Sequence, residues 1–270
     1  IDIVAQALID VLRTLAETFE EAGRYDMADR ILRAMEKRYG EKERRFRARF
    51  YLRTGDPRGR GMIKAEIQRF MQYQAGGEGV LTDEMHVNLL SSFLLTEQWG
   101  DAYDLLKRVL LPRWHPDSSE YGLWGVVSKI RTGASYGDAL KILQAMRPKI
   151  SATDPYLPVV QLYLEEQGLE QTLPAIDVSA SPRSLSYYFI GQYLIYRKGE
   201  REKAEDFFGK TLRLRQYHAS EHYLALKELG RVPSLADRLS RQFSAWLRDI
   251  GRARDRIRQI RRRKSEPHHG

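Results

Sequence analysis

The sequence predicts an all-α protein, and three observations carry this prediction. Leucine occurs 32 times and valine 11 times among 270 residues, a balance that favours helices over strands. Apolar residues recur at intervals of three and four along most of the chain, as they do on one face of a helix. No stretch of useful length alternates between apolar and polar residues, which is the pattern of a half-buried strand.

The composition is that of a folded globular protein, and it removes several classes of site. Glycine and proline together make 30 residues, an ordinary share. Because the chain has no cysteine, it has no disulfide framework, no thiolate zinc site and no cysteine nucleophile. It also has no run of 18 uncharged apolar residues, so we expect a soluble protein without a transmembrane helix. The chain starts at Ile1, which leaves its native start and its compartment open.

The positive charge is concentrated at one end of the chain. Residues 231–270 hold 12 Lys and Arg against 4 Asp and Glu, whereas the other 230 residues hold 33 and 32. Any attraction to nucleic acid or to an anionic membrane is therefore expected only in the C-terminal segment. We predict a helical-repeat domain over residues 1–230, an amphipathic, Arg-rich helix over 231–264 and a disordered tail over 265–270.

A pattern of two amphipathic helices joined by a short turn recurs along the predicted repeat domain. In four copies an alanine of the second helix stands four residues, one helical turn, before a large side chain, and a small residue lets two helices cross closely. Weaker copies lie at 46–70 and 157–173, which brings the number of predicted helix pairs to six. The four alanines are Ala28, Ala102, Ala139 and Ala204.

This pattern resembles the tetratricopeptide (TPR) family, whose repeat has 34 residues. The residues that carry the resemblance are Leu15-Ala16-x2-Phe19 with Ala28-x3-Leu32, and Ala204-x3-Phe208 after Gly199. No tryptophan opens a repeat, the final proline is missing, and the period drifts. Over about residues 5–216 the resemblance implies a right-handed α-solenoid of about six TPR-like helix pairs. Other two-helix repeats share such packing and stay open.

TPR geometry implies that the first helix of each pair lines a concave surface, and that this surface binds a protein partner. The implied wall is charged at its N-terminal end and aromatic at its C-terminal end, and Tyr, Trp and Arg are common anchors of protein interfaces. The alternative is that the aromatic residues pack helix against helix. The implied contact residues are Arg13, Glu17, Ser91, Trp124, Ser128, Phe189, Tyr193, Tyr196 and Arg197.

The C-terminal segment is predicted to be a long amphipathic helix. An apolar stripe runs from Leu235 to Ile260, and its rear half is dense in arginine. One interpretation is a helix whose front half caps the repeats while its basic tail stays solvated. The other is docking to a protein, nucleic acid or an anionic membrane surface, for which the candidate residues are Phe243, Trp246, Arg254, Arg258 and Arg261.

Two matches to catalytic motifs do not fit their required context. Gly133 to Gly137 matches G-x-S-x-G around Ser135, but it follows a predicted helix instead of a strand, so we predict a turn. His218 and His222 match H-x-x-E-H, and we interpret them as an adventitious surface pair. We therefore predict no enzyme activity, no cofactor, no metal site and no small-molecule substrate.

The function that follows is a non-catalytic scaffold or adaptor that binds protein partners through a concave helical-repeat surface, alone or as a subunit of a larger complex. The alternative is a repeat protein that binds nucleic acid or an anionic surface through its Arg-rich C-terminal helix.

Overall fold

The computed structural model describes residues 3–75, 81–113, 118–178, 183–216 and 219–265. Within these ranges all regular secondary structure is helical, which confirms the predicted all-α class. No helix in the described ranges combines the length and the apolar character needed to cross a membrane.

The chain divides into two compact units. Unit 1 comprises residues 1–59 and 232–270, and unit 2 comprises residues 60–231. The helix α4 runs across the boundary. Unit 1 holds α1 (Ile3–Glu21), α2 (Tyr25–Tyr39), α3 (Glu41–Arg53), the start of α4 (Pro57–Ala75) and α14 (Leu235–Ser265). Unit 2 holds α5 (Asp83–Thr96), α6 (Trp99–Leu105), α7 (Ser118–Arg131), α8 (Tyr136–Met146), α9 (Leu157–Tyr163), α10 (Leu169–Val178), α11 (Arg183–Tyr193), α12 (Arg201–Arg213) and α13 (Ser220–Glu228).

Two helices of unit 2 continue with a wider turn. A π-helical segment follows α6 at Leu106–Leu110, and another follows α11 at Leu194–Lys198. Such segments insert one extra residue into a turn and shift the side chains that follow.

The four predicted alanines stand at one position in their helices. Ala28, Ala102, Ala139 and Ala204 are each the fourth residue of α2, α6, α8 and α12, and each is fully buried. These helices pack on α1, α5, α7 and α11, the helices that precede them. A methyl group at this position lets the two backbones approach closely. The four alanines therefore hold equivalent places in four helix pairs.

A residue with positive φ follows the first helix of each of these pairs. It is glycine at Gly23, Gly133 and Gly199, but Glu97 at φ +60° between α5 and α6. Since the left-handed region strains a side-chain-bearing residue, the glycine turns were visible in the sequence and the Glu97 turn was not.

The core of unit 2 is built from helices that are buried on more than one side. The first helices of its pairs contact one another, α7 with α9 and α9 with α11, and the additional helix α13 contacts both α11 and α5. In α7 every residue from Tyr121 to Ser128 is buried, and every residue from Tyr188 to Leu194 is buried in and just after α11. A helix that is apolar on all sides is typical of such interior positions.

The residues of the two catalytic-motif matches, Ser135 and His222, have structural positions at or in their helices. Ser135 caps α8, because its hydroxyl accepts a hydrogen bond from the backbone N–H of Asp138 at 3.1 Å. This confirms the predicted turn. His222 is buried in α13, so the prediction of a surface position was wrong for this residue, and His218 lies outside the described residues.

Candidate partner-binding surfaces

Four of the predicted contact residues lie in the core of unit 2. Trp124, Ser128, Phe189 and Tyr193 are buried, and Trp124 is only 3% exposed. The Trp124 ring lies edge-on to Phe189 with 4.9 Å between ring centroids. The Tyr163 hydroxyl donates a hydrogen bond to the backbone carbonyl of Phe189 at 2.8 Å. The expectation that these side chains line an open wall is therefore corrected, and the alternative of helix-against-helix packing holds for them.

The physical reason is that a set of helices in unit 2, which we call its inner helices, cover one another: α5, α7, α9, α11 and α13. Because α13 contacts α5, the last of these helices packs against the first. Ser91 of α5, another predicted contact residue, shares a hydrogen bond with Ser220 at 2.7 Å between the hydroxyl oxygens. Lys227 forms an ion pair with Glu97. The face that the sequence assigns to a partner is thus occupied by helices of the same unit.

An arginine-centred network joins three of these helices. Arg131 of α7 pairs with Glu228 of α13, and the side-chain amide of Gln192 in α11 donates to the same carboxylate at 3.2 Å. The guanidinium of Arg131 lies 5.5 Å from the ring centroids of both Trp99 and Tyr196. The predicted contact residue Tyr196 is half-buried and belongs to this network. With its charge paired and stacked, Arg131 stabilises the packing of α7, α11 and α13.

Arg197, the last predicted contact residue of unit 2, is exposed and is bound to a carboxylate of the same unit. Its Nε and Nη2 atoms donate to the two carboxylate oxygens of Glu165, both at 2.9 Å. These bonds, with a further one from Lys198, lower the pKa of Glu165 to about 2. An exposed pair of this kind adds little stability, and it links the turn after α9 to the π-helical segment that follows α11.

The groove candidates of unit 1 differ in their surroundings. Arg13 of α1 donates from its Nε atom to the buried carboxylate of Glu43 at 3.1 Å, so it links α1 to α3. Glu17 is half-buried, and burial raises its pKa although the charge of Arg53 opposes this. Arg13 therefore serves packing within unit 1, and Glu17 lies half-buried near the charge of Arg53.

The first half of α14 is attached to the rest of unit 1 by polar contacts that the sequence did not reveal. Arg238 is buried and pairs with Asp56, which also accepts hydrogen bonds from Arg58. Burial opposes the ionisation of Asp56, but the bonds from Arg58 and the charge of Arg238 outweigh it and hold its pKa below the usual value. Near its middle, α14 pairs again through Asp249 and Arg24 at 3.3 Å.

The opposite side of the same half is apolar and open to solvent. Phe243 is 58% exposed and Trp246 is 56% exposed, and their rings stack with 5.7 Å between centroids. Leu239 and Ile250 lie on the same side and are also exposed. We call these four residues the open face of α14. Both aromatic docking candidates from the sequence are therefore on the surface.

A cleft of about 460 Å³ runs beside the open face, between α14 and the start of α2. Its apolar lining comes from α14 and its charged rim from both helices. An apolar centre with a charged rim is the usual anatomy of a protein interface. We call it the α14 cleft; it is lined by Arg24, Asp26, Leu239, Gln242, Phe243, Ala245, Trp246 and Asp249.

The three basic docking candidates lie in the second half of α14. The helix backbone continues to Ser265, so Arg254, Arg258 and Arg261 keep the helical spacing that the sequence predicts. Their side chains lie outside the described residues. Among the residues that are described, no three His, Asp or Glu side chains cluster as metal ligands would.

Comparison of the chain with models of protein families, with curated proteins and with solved structures found no match.

Proposed function

We propose that the six helix pairs form a divergent TPR-like, right-handed solenoid. The support is the common register of Ala28, Ala102, Ala139 and Ala204, each fully buried at the fourth position of a second helix. Repeats of one supersecondary unit bury their apolar faces against their neighbours. Repeats of one unit are expected to place a small residue at the same helix crossing in each pair, as these four pairs do.

On this framework the chain is a non-catalytic scaffold that binds a protein partner, alone or as a subunit of a larger complex. The observation that carries this function is the open face of α14 with its stacked Phe243 and Trp246. Large aromatic side chains left open beside a cleft are the residues that most often anchor a protein partner. We therefore assign the contact surface to α14, and the buried aromatic residues of unit 2 serve to hold that unit together.

A site-specific cross-link tests this function. A photoreactive amino acid at Leu247, which is 48% exposed beside the open face, is expected to capture one protein partner in extracts of the cells of origin. The same group at Val11, which is 62% exposed on α1 of unit 1, serves as the matched control and is expected to capture none. Adding Phe243→Ser and Trp246→Ser should abolish capture at position 247, since these two rings supply most of the buried area.

Equal capture at positions 11 and 247, or no captured protein at either position, would contradict the proposal. Circular dichroism of each variant is to verify that its helices remain, so that a loss of capture can be assigned to loss of the contact.

A second candidate is binding to nucleic acid or to an anionic surface through the rear half of α14. It is favoured by charge, because residues 235–265 hold 11 Lys and Arg against 3 Asp. Binding of this kind falls steeply with salt and does not depend on Trp246. A salt titration with the Trp246→Ser variant separates the two candidates.

A further inference from the structure

The spacing of the apolar residues along α14 defines more than an amphipathic helix. From Leu239 to Ile260 one series of them recurs at intervals of four and three, and Ala245 and Leu247 are further apolar residues outside this series. This is the a and d pattern of a coiled coil, maintained over three heptads. With Phe243 at an a position, the seam consists of Leu239, Phe243, Trp246, Ile250, Ala253, Ile257 and Ile260.

The described half of the seam is open to solvent, because α14 packs against the rest of unit 1 through other positions of the heptad. Arg238 and Ala245, both at c positions, are buried against unit 1, and the f-position Arg248 donates to the carbonyl of Ala22 at 3.4 Å. The a and d residues of this half, from Leu239 to Ile250, are between 45% and 58% exposed. A coiled-coil seam without a second helix leaves its knobs without holes to fill.

The positions beside the seam carry a charge that selects the second helix. In the rear half the e positions are Arg254 and Arg261, and the g positions are Arg256 and Arg263. Residues at e and g form the ion pairs that decide which helices associate. A partner helix with Asp or Glu at its own e and g positions meets four arginines of opposite charge.

A second copy of this chain fits less well. Each α14 carries 11 basic and 3 acidic side chains, so two of them repel. In a parallel pair Arg256 would also stand beside Arg261 of the second copy, a g–e′ contact between like charges. A flat membrane surface fits less well for another reason. The α14 cleft, rimmed by Arg24 and Asp26, is recessed between α14 and the start of α2, and a planar surface would leave it unfilled.

We propose that α14 is one strand of a coiled coil, and that its partner is a helix of another protein with acidic e and g positions. This inference rests on the proposed function and names the class of partner that the open face binds. Phe243 and Trp246 fill the holes of the partner helix, and the four arginines set its identity and register.

Two synthetic peptides test the inference on the full chain. Each has about four heptads with Ile at a and Leu at d; one carries Glu at e and g, the other Lys. We expect the Glu peptide to bind at least about 100-fold more tightly than the Lys peptide in fluorescence anisotropy at low salt. Phe243→Ser with Trp246→Ser should weaken the Glu peptide at least about thirtyfold, whereas the control Val11→Ser should not change it.

A charge-reversed variant keeps the test independent of folding defects. Changing Arg254, Arg256, Arg261 and Arg263 to Glu should reverse the preference, so that the Lys peptide binds and the Glu peptide does not. A variant that had merely unfolded would bind neither peptide.

Three results would overturn the inference: equal binding of the two peptides, a dimer of the chain in sedimentation equilibrium, or tighter binding to vesicles with about one third phosphatidylserine than to the Glu peptide. If position 247 captures a protein while the Glu peptide fails to bind, the coiled-coil inference falls and the proposed function stands. If position 247 captures no protein and the Glu peptide does not bind, the coiled-coil inference and the proposed function are both wrong.

Discussion

Replacing Gly55 with alanine is expected to destabilise unit 1 by about 3 kcal/mol. Gly55 lies between α3 and α4 with φ +70°, a conformation that costs an alanine about 1 kcal/mol. Its new Cβ atom would also clash with the backbone carbonyl oxygen of Pro233, which precedes α14. Neither atom can move by rotation of a side chain, because one is a backbone oxygen and the other is bonded directly to the backbone. The segment before α14 must therefore move away.

The expected result is a lower thermal midpoint, since the start of α14 is displaced. Gly230→Ala is the matched control: Gly230 has φ +62°, and nothing lies within 4 Å of the position that its new methyl group would take. It should cost only about 1 kcal/mol, the conformational part of the effect. Equal losses for the two variants would show that α14 does not begin against the α3–α4 turn.

Replacing Gly191 with alanine is expected to destabilise unit 2 by about 2 kcal/mol, although alanine normally stabilises a helix relative to glycine. Gly191 is buried in α11, and a Cβ atom there would lie 2.5 Å from Cε1 of Phe208 in α12. Phe208 is itself almost fully buried, so its ring has little room to move. Urea unfolding followed by circular dichroism measures the loss.

The control and the rescue are both in the same helix pair. Gly209→Ala in α12 adds a methyl group with nothing within 4 Å, and it should stabilise the chain by up to about 1 kcal/mol. Phe208→Leu removes the part of the ring that the new methyl group meets, so it should cost less in the Gly191→Ala variant than in the unmodified chain. If Gly191→Ala stabilised the chain as Gly209→Ala does, the close packing of α11 on α12 would be refuted.

The helix pairs could be predicted because their determinants are local. Ala28 follows Gly23 by five residues in the sequence, and Ala204 follows Gly199 by the same number. A small residue at the crossing and a glycine in the turn are read directly from the sequence. The turn at Glu97 carries no such signal, since glutamate rarely adopts a positive φ.

The sequence did not allow the same prediction for the inner face of unit 2, the face on which its inner helices cover one another. The closure of this face depends on pairs far apart in the chain, Ser91 with Ser220 and Arg131 with Glu228. Helical periodicity shows which residues share a face, but it does not show what covers that face. One signal was present in α11, where adjacent aromatic residues from Tyr188 to Tyr193 place rings on more than one side and so indicate a helix buried all round.

The same distinction holds for α14. Its apolar stripe was visible as a period of three and four, and the structure leaves Phe243 and Trp246 on the surface as docking candidates. The ion pair of Arg238 with Asp56, which decides which side of the helix turns inward, joins residues 182 positions apart. Among so many arginines, nothing in the sequence distinguishes Arg238 as the buried one.

Hydroxyl-radical footprinting of the unmodified chain tests the central claim most directly, namely that the aromatic residues of unit 2 are internal and those of α14 are open. Oxidation rates of individual side chains follow their exposure to solvent, and mass spectrometry resolves them residue by residue. We expect Phe243 and Trp246 to be oxidised much faster than Trp124 and Phe189. Trp124 and Phe189 reacting as fast as Trp246 would contradict the account, because the inner face of unit 2 would then be the open surface.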